Sequence, residues 1–331
     1  MKECLLLIVL GLLPVGFRQQ GDDPFAFFQP SVVVTPADRQ DIDRGNTLVR
    51  VLPGQDREVA VFSAIALKAT GEDLLKGVRQ IADLKRSSFV LAIRRFSDPP
   101  RIQDLDGLTL DDADLESIQR CRPGSCEIKL GSSEIERVHQ VMAAPAGRSN
   151  AALQDLFRSF VFEHVQAYLA RGHEGISGYP INLQQSFSAI LRRSPLPQRM
   201  PQFAVYLENY PSGKLPEVES FLYWSKESVG RKPVISVTHV GMMPGKGRAG
   251  LPAMLVAGKQ VFATHYMNAS LNLTAVLNGP AGSHNYLALL TRTEVDLLDG
   301  YFGWLKRTLI ERRVKDEAQK IILGLRQRLE H

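Results

Sequence analysis

Residues 285–330 read NYLALLTRTEVDLLDGYFGWLKRTLIERRVKDEAQKIILGLRQRLE. Two periods meet in this stretch. Tyr286 to about Thr293 has the apolar and β-branched character of a strand. From Gly300 onward, Leu305, Leu309, Val314, Ala318, Ile321, Leu325 and Leu329 fall on one helical stripe. Arg312, Lys315, Glu317, Lys320, Arg326 and Arg328 occupy the other side. A long amphipathic helix must bury its stripe on a neighbour, so a sheet is expected beneath it.

Upstream, the chain supplies strands. Glu219 opens a β pattern, with Ser220 to Lys226 alternating loosely and Lys232 to Val240 following. The Gly- and Lys-rich segment Met242 to Gly250 reads as a hairpin tip, and Gln260 to Leu277 as one long strand bending near Asn268. Earlier still, Thr47 to Leu52, Glu58 to Ala69 and Ser88 to Phe96 read as strands. A helix begins at Thr70, with carboxylates in its first turn and Leu74, Val78, Ile81 and Leu84 at helical spacing. Short strands are expected at Leu108 to Leu110 and Cys126 to Leu130, with a helix from Ser132 to about Met142. Asp111 to Glu116 resembles a cation loop, but lacks the glycine and terminal glutamate of an EF-hand and reads as an N-capped helix start. Asn150 starts the strongest helix, ended by Gly172. A further helix spans Leu183 to Arg193, after which Pro197 and Pro201 are expected to keep the chain extended.

The N-terminus carries Lys2 and an apolar run from Leu5 to Leu13 closed by Pro14 to Phe17, the length of a signal-sequence core and too short for a span. Residues 1–17 are therefore expected to export the chain, either removed or kept as an uncleaved anchor, with 18–45 as a linker that partly docks through the aromatic patch Phe25, Phe27 and Phe28. Residues 46–331 then form a single α+β domain with a helical insertion at about 150–200. In an oxidising compartment, Cys121 and Cys126 flank a Pro-Gly turn and should pair. The chain has 331 residues, 44% hydrophobic and 23% charged with net charge +5, an ordinary globular balance. Its basic residues are scattered outside Lys306 to Lys315, which argues against a nucleic-acid partner. Contact with a membrane or envelope surface remains an expectation that export would bring.

Several antiparallel strands closed by one long C-terminal helix are similar, in element order, to the helix-grip fold of START-like (SRPBCC) proteins. The resemblance covers roughly residues 47–96 and 217–329. It implies a curved sheet gripping the helix around a cavity that holds a lipid or another apolar molecule. A filled core under the helix is the alternative.

No nucleophile elbow or phosphate loop is present, and no cofactor is expected. His239 and His265 lie on neighbouring predicted strands. If they met, they would form an acid/base pair or two metal ligands with Glu219 as third, the basis of a hydrolase or lyase reading. If the strand phase differs, they face opposite sides. Tyr223, Tyr266, Asn268, Arg292 and Trp304 are the ligand-binding candidates, with Arg292 suited to an anionic head group. Tyr223 and Trp224 are consecutive, so only one can face inward. Asn268 and Asn272 begin glycosylation sequons inside a predicted strand.

Overall fold

The computed structural model describes residues 23–331 except 145–148, 177, 229, 249, 281–282 and 299–302; for residues 297 and 303–306 it describes the backbone alone. The expectations for residues 1–17 and for the Trp304 side chain lie outside the described residues.

Eight strands form one antiparallel, open, curved sheet: β1 (Leu48–Leu52), β2 (Glu58–Leu67), β3 (Val90–Arg95), β4 (Glu219–Glu227), β5 (Val234–Pro244), β6 (Met254–Ala263), β7 (Met267–Leu277) and β8 (Asn285–Val295), in the order β1-β2-β8-β7-β6-β5-β4-β3. From β3 the chain returns strand by strand until β8 docks on β2, pairing Ile65 with Leu287 and Val61 with Thr291. The helices are α1 (Pro36–Asp43), α2 (Gly71–Arg79), α3 (Ile81–Leu84), α4 (Asp112–Arg120), α5 (Ser132–Ala143), α6 (Asn150–Arg171), α7 (Leu183–Arg192), α8 (Leu196–Arg199), α9 (Pro201–Asn209) and α10 (Gly303–Glu330). The C-terminal helix and its sheet are thus as expected in outline.

The sheet divides the helices between two faces. On one, here the helix face, Ile322, Leu325 and Leu329 of α10 pack with Ile65, Leu67, Val276 and Leu287 of the sheet and with Leu74 and Val78 of α2. Burying these three α10 side chains contributes roughly 5 kcal/mol at most. α2 starts in a capping box, Thr70 and Asp73 exchanging bonds to each other's backbone. Gly71 lets it sit directly on β6: a Cβ there would stand 2.9 Å from Met254 Cβ. On the opposite, insertion face, Phe25, Phe27 and Phe28 pack on Phe62 and Tyr286, together with α7 and α9. α6 covers Trp224, Val237 and Phe262 there.

Several local readings are corrected. The α10 stripe runs through Ala318, Ile322, Leu325 and Leu329, whereas Leu309 is 69% and Ile321 is 37% exposed. One-residue offsets rotate a side chain about 100° around a helix, enough to exchange inner for outer. Gln260 to Leu277 is two strands, turning at Thr264–Tyr266 with Tyr266 at φ +57°. No Gly, Pro or Asn-Gly marks that turn, so the usual signal is missing. Pro197 and Pro201 lie in the first turns of α8 and α9, where proline's missing N–H costs nothing. Neither Leu108–Leu110 nor Cys126–Leu130 is a strand. The Leu110 backbone N–H and C=O bond instead to the Gln154 side chain at 2.8 Å each, which does a strand partner's job. In the described part of 18–45, Phe25, Phe27 and Phe28 are fully buried and α1 follows them. The insertion is wider than 150–200, occupying the whole connection from β3 to β4. Cys121 and Cys126 are joined by a disulfide with Cα atoms 4.6 Å apart.

Candidate functional site

Alternation along a strand separates the two faces, and their burial differs sharply. On the insertion face every residue of β7 and β8 from Ala269 to Leu277 and from Tyr286 to Arg292 is buried. On the helix face, solvent reaches the middle of the sheet. Asn272 is exposed, although β7 is an interior strand, and Gly258, Thr274, Leu289, Thr291 and Thr293 around it are half-buried. The register makes them one patch: Asn272 lies beside Gly258 and Thr291, and Thr274 beside Leu289.

The patch is uncovered because its flanking helices sit to either side. α10 packs on β2, β1 and β8, and α2 packs on β6 and β7 at their far end. Among the described residues this strip of sheet beside α10 is open to solvent, and it is here called the trough. Its floor is built of small or neutral side chains tied to each other: Ser270 and Thr293 hydroxyls at 2.9 Å, Thr291 Oγ1 donating to Asn272 Oδ1 at 2.9 Å, and Asn272 Nδ2 donating to Ser270 Oγ at 3.3 Å. No floor residue is ionised. Ile310 and Val314 continue the buried α10 stripe toward this opening and are half-buried themselves.

A second concentration of polar groups lies inside the insertion face. His239 and Lys259 are cross-strand neighbours on β5 and β6, 1% and 0% exposed. Tyr168 and Tyr206 hydroxyls meet His239 Nδ1 and Nε2 at 2.9 and 3.2 Å. A neutral imidazole donates through one nitrogen and accepts at the other, so one tyrosine accepts and the other donates. Burial, seconded by Lys259, pushes the His239 pKa down to about 3. Burial likewise brings Lys259 down to about 7, opposed by Glu208, and raises Tyr206 to about 12. Lys259 Nζ donates to the Leu207 carbonyl at 2.7 Å, in the last turn of α9, where an ammonium also meets the negative end of the helix.

The three proposed acid/base residues occupy separate networks. His239 is held by the tyrosines. His265 lies in the β6–β7 turn, Nε2 facing Asp114 Oδ2 at 3.1 Å and Nδ1 facing the Glu127 carbonyl at 2.9 Å. Burial alone would raise the Asp114 carboxyl, but bonds from His265 and Lys232 hold it below the usual range. The Glu219 carboxylate accepts hydrogen bonds from two nitrogens of Arg79 on the helix face. The structure brings none of the three together. Among the described residues, no group of three or more His, Cys, Asp or Glu is placed to hold a metal ion.

The ligand candidates are also scattered. Tyr223 lies on the helix face, its hydroxyl accepting from Lys85 at 3.2 Å, while Trp224 turns to the insertion face and donates to the Asp104 carbonyl at 2.8 Å. Tyr266 is a turn residue whose hydroxyl accepts from Lys232 N at 3.1 Å. Asn268 is fully buried between Lys129 and Glu294, a poor glycan acceptor. Arg292 is committed to Glu58 at 2.7 Å on the insertion face and is not available to an anion. Lys259, Tyr168, Tyr206 and the trough floor were not among the expected site residues. A lysine in phase with Leu255, Ala257 and Val261 was the signal for the first of these.

No family model matches the chain, and no curated protein matches it. Among solved structures, it is similar to the crystal structure of a protein from Thermus thermophilus, with 15% identity and a TM-score of 0.26, over 42% of this chain and 86% of that one. Among the described residues, no helix is long and apolar enough to cross a membrane.

Proposed function

We propose that the protein binds a small, uncharged, amphipathic molecule in the trough beside α10, in the manner of a helix-grip domain. The observation that carries this reading is the exposure of Asn272 on an interior strand of an eight-stranded sheet, where the opposite face of β7 and β8 is buried. An interior strand left open to water is surface that packing would otherwise cover, and such openings are where ligands sit. The floor's hydroxyls and amide would meet a ligand's hydroxyl or carbonyl groups, and Ile310, Val314 and Leu289 its apolar body. With no charge on the floor, a free anion or cation would lose its hydration without gaining a partner.

Asn272→Trp tests this. The indole fills the open floor, so the variant should stay folded, losing about 1 kcal/mol for the two hydrogen bonds removed, while the site closes. Native mass spectrometry of the wild type should show a stoichiometric small molecule that denaturation releases, and the variant should carry none. Equal adducts on both proteins would remove the trough as the site.

Export is part of the same proposal, resting on the Cys121–Cys126 bond and the apolar run Leu5 to Leu13. Amino-terminal sequencing of the protein outside the cytosol checks it; recovery only from the cytosol would refute it.

A further inference from the structure

Lys259 is an amine in an unusual place. It stands at the middle of an interior strand, fully buried, with Leu255, Ala257 and Val261 as its apolar companions on the same face. No carboxylate among the described residues lies within ion-pair distance. Its Nζ has one carbonyl partner, Leu207, and lies 4.5 Å from the Phe187 ring centroid and 5.3 Å from that of Tyr168. A methionine would fill this space without the cost of burying an amine, several kcal/mol when it is charged.

Around it are proton carriers, with Glu208 the carboxylate that acts on its charge. His239 is beside it with its two tyrosines, and Tyr210 lies over the His239 ring at 4.3 Å. His173, 4% exposed, is packed on Tyr168 and Phe187 and donates from Nε2 to the Gln260 carbonyl at 3.1 Å. Its Nδ1 is therefore the lone-pair nitrogen, and it is buried with no partner. Two surface clefts of about 390 and 450 Å³ meet at this residue, sharing His173, Glu174 and Gln184. The smaller is also lined by Glu208 and Tyr210, close along the chain to the carbonyl that holds the amine. Gly172 lets this wall form: a Cβ there would stand 2.2 Å from the Tyr210 carbonyl oxygen.

We infer that Lys259 is the amine of a second site, which takes a small neutral aldehyde or ketone from the His173–Tyr210 cleft and holds it as an imine. The lone pair of Nζ attacks the carbonyl carbon, forming the C–N bond as the C=O π pair moves to oxygen. One amine proton passes to that oxygen, giving a carbinolamine. The second follows as the C–O bond breaks, so both amine protons leave in one molecule of water and Nζ is left in a C=N bond. His173 Nδ1 and the His239–Tyr206 pair are the groups placed to carry those protons. Glu174 and Glu208 stand against Arg171 at the cleft, which favours an uncharged carbonyl compound over an acidic one. Burial that brings the amine's pKa down to about 7 supports the chemistry, because only the free amine is nucleophilic.

The test is reductive trapping. The whole protein is treated briefly at pH 7 with glycolaldehyde and cyanoborohydride, and its peptides are mapped by mass. The Lys259 peptide should gain the reduced adduct at least about tenfold faster than exposed lysines such as Lys320. Tyr206→Phe should slow labelling of Lys259 and leave Lys320 unchanged. Labelling of Lys259 no faster than Lys320, or only after urea unfolding, overturns the inference.

Discussion

Lys259→Met is expected to stabilise the fold by about 3 kcal/mol at pH 6, the gain shrinking as the pH rises and reversing above about pH 9. Lys259 falls from 10.5 to about 7 on folding, mainly through burial. A displacement of that size corresponds to roughly 5 kcal/mol, from which about 1 is deducted for the lost bond to Leu207 and about 1 for imperfect repacking. The sign follows from proton counting. Between pH 7 and the unfolded value, the unfolded chain binds more protons than the folded one, so wild-type stability rises with pH through that window. The cost is full below about pH 7 and gone above the unfolded value. Urea unfolding of both proteins at pH 6, 8 and 9.5 measures it. A variant less stable than wild type at pH 6, or a gain that does not change with pH, would contradict the buried-amine description. His239 acts in the same direction at lower pH, since its imidazole must charge on unfolding between about pH 6.5 and 3. A residue whose removal strengthens the fold is one retained for something other than folding.

Glu58→Gln should destabilise the protein by about 3–5 kcal/mol, the cost of leaving a buried cation without its partner. Glu58 is 1% exposed; Oε1 accepts from Arg292 Nη1 at 2.7 Å and Oε2 lies 2.7 Å from Arg193 Nε. Arg193, partly exposed, can turn to water, but Arg292 cannot. The Glu58 carbonyl also accepts from Arg307 at 2.9 Å, so the same residue joins the β2–β8 seam to α10. Replacing both partners, Glu58→Leu with Arg292→Met, should recover most of the loss, because two apolar side chains of similar size need no compensation. Chemical denaturation of the three proteins decides it: a loss below about 1 kcal/mol in the single variant would mean that water already reaches Arg292.

Much of the scaffold was legible from local patterning. The Thr70 cap, the long helix from Asn150, the end at Gly172, the disulfide pair and the passage from last strand to long helix all rest on signals within a few residues of each other. What escaped depends on contacts distant in sequence. The β6–β7 turn carries a tyrosine at positive φ that the surrounding packing stabilises, with Asp296 N bonding to the Tyr266 carbonyl. Gln154 replaces a strand partner from 44 residues away. The separation of His239 from His265 is of the same kind: the first sits in strand β5, the second in a turn, and a one-residue error of phase decides which face a strand residue takes. Asn272 looks like any polar strand residue until the positions of α2 and α10 are known. Lys259 was legible in principle, but lysines in strands commonly mark solvent faces, and nothing local reveals that the insertion covers this one.

The most direct measurement is an equilibrium titration of wild type, Asn272→Trp and Leu323→Ser with Nile red, an uncharged apolar dye. Leu323 lies on the outer, exposed side of α10 and serves as the control for surface binding. Saturable binding at one site is expected for wild type and Leu323→Ser and should be lost in Asn272→Trp. Binding that survives in Asn272→Trp, or that disappears with Leu323, would place the apolar site elsewhere and contradict the trough.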